Sequence, residues 1–233
     1  MLHSLVMQIN SLLQSFTEPF TNPAAISQPS VMQVQGLCFS YAERDLFTDF
    51  SLSLQTGVTL VQGGDGKGKS TLIRLLAGAQ PAQAGHLQVN NLTLKDQPAA
   101  YRQQVFWADP QSQAFEQSTP LDYFGSLPSL YPDFDDRALP ELINGLSLEP
   151  HVEKPLYMLS TGSKRKVWLA AAFASNAVVT LLDEPFVSLD KVSINFVFHL
   201  LKNAENHEKR AFVVTGYEAP TGIKLAAMID LGD

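Results

Sequence analysis

Gly63, Gly68, Lys69 and Ser70 stand in the spacing Gly, four residues, Gly-Lys-Ser within the string GGDGKGKST that runs from Gly63 to Thr71. Closely spaced glycines let a chain curl without Cβ clashes, so several backbone N–H groups can point into one concavity and hold an anion. In that arrangement Gly63, Gly64, Asp65, Gly66, Lys67 and Gly68 form the cradle. Lys69 reaches the β- and γ-phosphates of a nucleoside triphosphate, the Ser70 hydroxyl can ligate Mg2+, and Thr71 completes the binding stretch. A second chemical pair, Asp183 and Glu184, ends the apolar run VVTLLDEP of residues 178–185. Loops at the carboxyl ends of buried parallel strands face the ligand crevice. Asp183 would there hold Mg2+, directly or through water, and Glu184 would orient and polarise an attacking water. Alone, the same string also reads as a strand end with solvated carboxylates; an independent phosphate loop in the same chain favours the chemical reading.

The elements that must position these groups are legible around them. Thr59, Leu60 and Val61 form a β-prone run before the glycines, and TLIRLL, residues 71–76, continues with an apolar helical face that Gly78 would stop. A helix starting there aims its positive dipole end at the phosphates. Met32 to Phe39 and Phe47 to Leu54 read as an antiparallel lead-in, and His86 to Leu94 as a strand pair turned at Asn90-Asn91. Residues 99–158 are helical and proline-rich by turns, as an insertion would be. After Leu159 the chain returns to helix, strand, helix, strand, closing with Ala211 to Thr215 and Ala227 to Leu231. Such alternation implies a largely parallel sheet covered on both faces. Before all this, Leu2, Leu5, Val6, Ile9, Leu12, Leu13 and Phe16 repeat at helical spacing ahead of Pro19, Pro23 and Pro29, which predicts an appended helix and linker. That stretch lacks the basic start of a secretory signal.

Bulk properties narrow the function classes. The chain has 233 residues, 45% of them hydrophobic, enough for one sizeable core, and a formal net charge of −7. Nucleic acid is not expected as a partner, because binding its backbone needs basic surface. The run Lys164, Arg165, Lys166 reads as a solvated helix face. The lone Cys38 fits an inert core thiol in a reducing compartment. No run is apolar enough to span a membrane, so any membrane association would come through a partner.

Between the two chemical pairs stands LSTGSKRKVWLAAAF, Leu159 to Phe173, and with it the chain resembles the ATP-binding cassette of an ABC transporter. That family carries the phosphate loop, a signature of the form LSGGQ, an apolar strand ending Asp-Glu, and a loop ending Leu-Asp. Here Gly63 to Ser70, Leu159 to Ser163, Asp183-Glu184 and Ser188-Leu189-Asp190 follow in that order. The resemblance implies an α/β P-loop NTPase of ABC type, with a mostly parallel sheet flanked by helices, an antiparallel β subdomain and an inserted helical subdomain. It assigns residues 1–30 to an extension and 31–233 to the ATPase domain, with the helical insertion at about 111–160. It also implies ATP and Mg2+ as cofactors, a second cassette as partner in a homo- or heterodimer, and a membrane permease. The chain would then be a cytoplasmic ATPase, peripheral at the inner face of the membrane. Position by position, Tyr41 resembles the aromatic that stacks on adenine, though a strand-end packing role fits it equally. Gln111 resembles the glutamine that senses Mg2+ and the γ-phosphate, and the text WADPQSQ offers Asp109 and Gln113 in neighbouring registers. Ser160, Thr161, Gly162 and Ser163 occupy the signature that clamps ATP bound to the other subunit, and Asp190 the loop that communicates between the two sites.

The pattern breaks in two places. Family members usually place a histidine after the strand that follows the Leu-Asp loop, where this chain reads FVVTGYE with Gly216. None of the histidines at 3, 86, 151, 199 and 207 substitutes for it by alignment. Thr161 replaces a glycine and Ser163 the signature glutamine. Losing one donor to developing charge costs on the order of 10²- to 10³-fold in turnover, so slow hydrolysis with intact binding is expected unless Tyr217 or a partner's residue compensates.

Overall fold

The computed structural model describes residues 30–42, 44–110 and 112–232. The N-terminal helix and linker expected from the sequence lie outside the described residues, as does Gln111. In chain order the elements are β1 (Ser30–Tyr41), β2 (Arg44–Gln55), β3 (Gly57–Gln62), α1 (Lys69–Leu76), β4 (Ala84–Val89), β5 (Leu92–Thr93), α2 (Pro98–Gln104) and β6 (Val105–Phe106). They continue with α3 (Pro120–Ser126), α4 (Leu139–Gly145), α5 (Thr161–Ala174), β7 (Val179–Leu182), α6 (Lys191–Ala204), β8 (Ala211–Gly216) and β9 (Leu225–Asp230). Short 3-10 turns at 127–129, 136–138, 149–151 and 156–158 join the helices of the middle segment.

Among the described residues the strands form two sheets. One is antiparallel in the order β2-β1-β4-β5; the other is parallel in the order β6-β7-β8-β3-β9. The lead-in strands, the His86–Leu94 pair and the closing strands thus fall where the sequence predicts them. One part of the reading needs correction: residues 99–158 are not helix and loop throughout, because Val105 and Phe106 form the edge strand of the parallel sheet, paired with Val179 and Thr180. Two residues carry no measurable alternation, so periodicity could not show this strand.

Burial on both faces explains why the parallel strands read as unbroken apolar runs. On β8, Phe212 and Val214 pack into the core shared with α5 and α6, while Ala211 and Val213 face the core shared with α1 and the antiparallel sheet. Leu72, Ile73, Leu75 and Leu76 of α1 are at most 1% exposed, so the helix that begins at the phosphate loop is clamped between the two sheets. Its far end is fixed as well. The hydroxyl of fully buried Tyr101 donates to the Leu76 carbonyl at 2.7 Å, and the helix stops at Gly78, whose φ is +65°. Prolines do not break the middle segment because they sit at helix starts, where a missing N–H costs nothing: Pro120 begins α3 directly after its cap, Thr119. No helix among the described residues is long and apolar enough to cross a membrane.

Candidate functional site

The order β7-β8-β3 brings the two chemical pairs together, since β3 feeds the glycine loop and β7 ends in the two acids, with β8 between them. The loop runs from Gly63 to Gly68, and Gly68 adopts φ +99° as it hands the chain to α1. A Cβ there would come within 3.2 Å of the Phe47 ring, so the turn needs glycine for both space and conformation. The side chain of Lys69, 6% exposed, folds back over the loop and donates to the carbonyls of Gly63 at 2.7 Å and Gly64 at 3.1 Å. Glu184 Oε1 lies 3.9 Å from the same ammonium. The first-turn amides of α1, at Lys69, Ser70 and Thr71, have no partner inside the helix, and all three residues line the cleft over the loop.

A threonine organises the acids. Thr215 of β8, 1% exposed, donates its hydroxyl to Asp183 Oδ1 at 2.7 Å and accepts the Glu184 amide at 2.8 Å. Glu184 itself sits at φ +45°, an uncommon conformation for a residue with a side chain. A cleft of about 340 Å³ opens over the loop, lined by Tyr41, Arg44, Lys67, Lys69, Arg74 and Glu184 among others. Tyr41 stands at its rim, 46% exposed, with its hydroxyl 3.3 Å from Thr71 Oγ1 and its ring edge-on to Phe39. The loop, Glu184 and Tyr41 therefore share one cleft, while Asp183, tied to Thr215 beside it, lines the neighbouring one. Ser160, Thr161, Gly162 and Ser163 do not line that cleft. Ser160 caps α5 by accepting the Ser163 amide at 3.1 Å, and Ser160 and Thr161 are exposed. Asp190 caps α6 by accepting the Ser193 amide at 2.9 Å and pairs with Lys166 at 2.5 Å. The hydrogen bond from Lys166 holds the Asp190 carboxyl well below the usual carboxylate range.

The profile of the ABC transporter family matches residues 47–187, more than half of the chain. The chain belongs to the ABC transporter ATP-binding family. The cytochrome c biogenesis ATP-binding export protein CcmA of Pseudomonas savastanoi pv. phaseolicola is 32% identical to it over 170 residues, 72% of this chain and 80% of that protein. The manganese transport system ATP-binding protein MntB of Listeria monocytogenes is 27% identical over 194 residues, 78% and 79% of the two chains. In fold, the cassette superposes on the solved structure of an ATP-binding subunit of an ABC transporter with a TM-score of 0.72 at 23% identity, covering 80% of this chain and 79% of that one.

Three features of the cassette have contacts that the sequence did not show. Arg44 reaches the cleft because the β1–β2 register sets Tyr41 opposite it, and no local pattern marks that arginine. Tyr217, directly after Gly216, donates its hydroxyl to Asp65 and lays its ring against the Lys69 ammonium, 4.3 Å from nitrogen to ring centroid. The bond to Asp65 raises the phenol above its ordinary value. The basic run is the third. Lys164, Arg165 and Lys166 are not a solvated face: Lys164 pairs with Glu116 at 2.6 Å, Arg165 donates to the Glu184 carbonyl, and Lys166 holds Asp190. Each partner is distant in sequence, which is why the run looked unattached.

The Tyr217 ring thus competes with phosphate for the Lys69 ammonium. Removing it with Tyr217→Ala is expected to tighten nucleotide binding about threefold, as loss of one exposed cation–π contact should. Titration calorimetry with ATP checks this, and weaker binding by the variant would contradict it.

Proposed function

We propose that this cassette binds MgATP in the cleft over the glycine loop and hydrolyses it. The observation that carries the reading is the 3.9 Å approach of Glu184 to Lys69 across the loop, with Thr215 holding both acids. In this reading the cradle of Gly63, Gly64, Asp65, Gly66, Lys67 and Gly68 receives the phosphates, and Lys69 turns from the loop carbonyls to the β- and γ-phosphates. Tyr41 stacks on adenine at the rim. Ser70 and Asp183 offer a hydroxyl and a carboxylate oxygen, hard donors of the kind Mg2+ takes alongside phosphate and water. Bound there, the ion would neutralise charge on the phosphates. Glu184 accepts a proton from the water that attacks the γ-phosphorus, the bond to the bridging oxygen breaks, and ADP leaves with the electron pair. Gln111 senses the γ-phosphate and couples it to the permease.

The signature Ser160 to Ser163, outside its own chain's cleft and exposed at Ser160 and Thr161, faces the nucleotide of a second cassette in a head-to-tail dimer, of like or unlike chains. Asp190 lies on the loop between the two sites. The segment 111–160, the proposed helical insertion, meets a separate membrane permease, which keeps the cassette peripheral at the cytoplasmic face. ATP binds the closed dimer better than the open one and so shifts the equilibrium; hydrolysis reverses the shift. Glu184→Gln keeps the shape of the side chain and removes the base. It is expected to bind MgATP as the native chain does while phosphate release falls about a hundredfold or more; release at the native rate would contradict the assignment.

A second reading, a hydrolysis-poor regulatory cassette in an asymmetric dimer, is favoured by Gly216. Nothing steric demands glycine at that position, since a Cβ would meet only Glu218 O at 3.6 Å and Leu60 Cδ1 at 4.0 Å, ordinary contacts. Gly216→His is therefore expected to fold and to raise phosphate release by about tenfold or more, restoring a donor at the γ-phosphate. A native chain that is already fast, with no gain from the histidine, removes this second reading.

A further inference from the structure

The first turn of α5 turns one face toward the segment that follows the two acids. Gly162, Arg165 and Lys166, spaced three and four apart, share that face, and each touches residues 184–190. A Cβ on Gly162 would lie 2.3 Å from the Ser188 carbonyl oxygen, so helix and loop are in backbone contact there. The Arg165 guanidinium donates through Nη1 to the Glu184 carbonyl. Lys166 Nζ meets Asp190 Oδ2 at 2.5 Å. The loop held at these three points contains two non-glycine residues at positive φ, Glu184 at +45° and Ser188 at +63°. Such conformations persist only where the surroundings over-determine them.

For Glu184 the holding groups can be named on both sides of its α-carbon. The amide is fixed from β8 by Thr215 Oγ1 at 2.8 Å, and the carbonyl from α5 by Arg165, with the Val187 amide as a second, longer donor at 3.2 Å. Those two peptide planes set the Glu184 φ and ψ, hence the direction of its Cα–Cβ bond and the place of the carboxylate beside Lys69. Arg165 does not line the nucleotide cleft. It lines a neighbouring cleft of about 210 Å³ with Asp183, Trp168 and Leu181.

We infer that Arg165 is a positioning residue for the Glu184 carboxylate: it fixes the strained backbone of that residue from the signature helix, and it touches neither nucleotide nor water. Ser160 begins the same helix, so Arg165 ties the backbone of Glu184 to the helix that caps at Ser160. The inference rests on the reading that Glu184 polarises the attacking water.

The test uses the full chain with Arg165→Ala, Arg165→Gln and Arg165→Lys, measuring the MgATP dissociation constant and the kcat and KM of phosphate release. With the backbone of Glu184 released, kcat of the Ala and Gln variants is expected to fall about 10- to 100-fold, as displacement of a reacting group by about an ångström does. The dissociation constant and KM should stay within about twofold. Arg165→Lys keeps a donor of nearly the same reach and should recover most of kcat. Gln serves if the Ala variant does not fold. Native kcat in the Ala and Gln variants overturns the inference. So does a parallel loss of binding and rate, which a merely structural role would give, or a Lys variant no faster than Ala. If the native chain releases phosphate and Glu184→Gln abolishes it while Arg165→Ala stays at the native rate, only this inference fails. If the native chain releases none and Glu184→Gln changes nothing, the catalytic reading itself has failed and takes this one with it.

Discussion

A buried ammonium has to be paired, and the cassette is built around how Lys69 meets that requirement. Taking a cation out of water is expensive unless hydrogen bonds and opposite charge replace the lost solvent. Lys69 finds two loop carbonyls, Gly63 and Gly64, together with the Glu184 carboxylate and the Tyr217 ring. These partners arrive from three different strand ends, so their meeting depends on the sheet order β7-β8-β3. The loop carbonyls are makeshift acceptors. A polyphosphate offers the same ammonium full negative charge, and the amides at the start of α1 add to it.

The same order explains why Thr215 matters. It sits on β8, between the strand of the loop and the strand of the acids, and its one hydroxyl serves both Asp183 and Glu184. Asp183 is oriented through its side chain and Glu184 through its backbone, so adjacent carboxylates are given separate positions. From the other side, the first turn of α5 grips residues 184–190 through Gly162, Arg165 and Lys166. The carboxylate beside Lys69 is therefore held by the parallel sheet and by the signature helix at once. Gly216 and Tyr217 lie at the one strand end where this chain departs from its family's pattern, and there Tyr217 already touches Asp65 and Lys69.

How far the site was legible depends on the range of the interactions involved. The glycine loop, Lys69 and the Asp183-Glu184 strand end were readable because their chemistry is contiguous in sequence, and the parallel strands because burial on both faces leaves unbroken apolar runs. Ser160 and Asp190 were read as signature and loop residues, and the structure adds that both cap helices. Arg44 and Arg165 were not legible as parts of the site, and for Tyr217 only its place after Gly216 was, not its contacts with Asp65 and Lys69. Their partners are set by strand register or by helix-to-loop packing, and nothing near them in sequence announces it. Val105 and Phe106 failed for a different reason: a two-residue edge strand has no period. Gln111 and the first 29 residues lie outside the described residues.

Nucleotide binding requires Lys69 to exchange its loop carbonyls for phosphate oxygens. Titration calorimetry of MgATP into the native chain and into Lys69→Ala tests it most directly. The native chain is expected to bind saturably and the variant to lose about a hundredfold or more in affinity, since charged hydrogen bonds to phosphate are lost together. No binding heat from the native chain, or equal affinity in the two proteins, would contradict it.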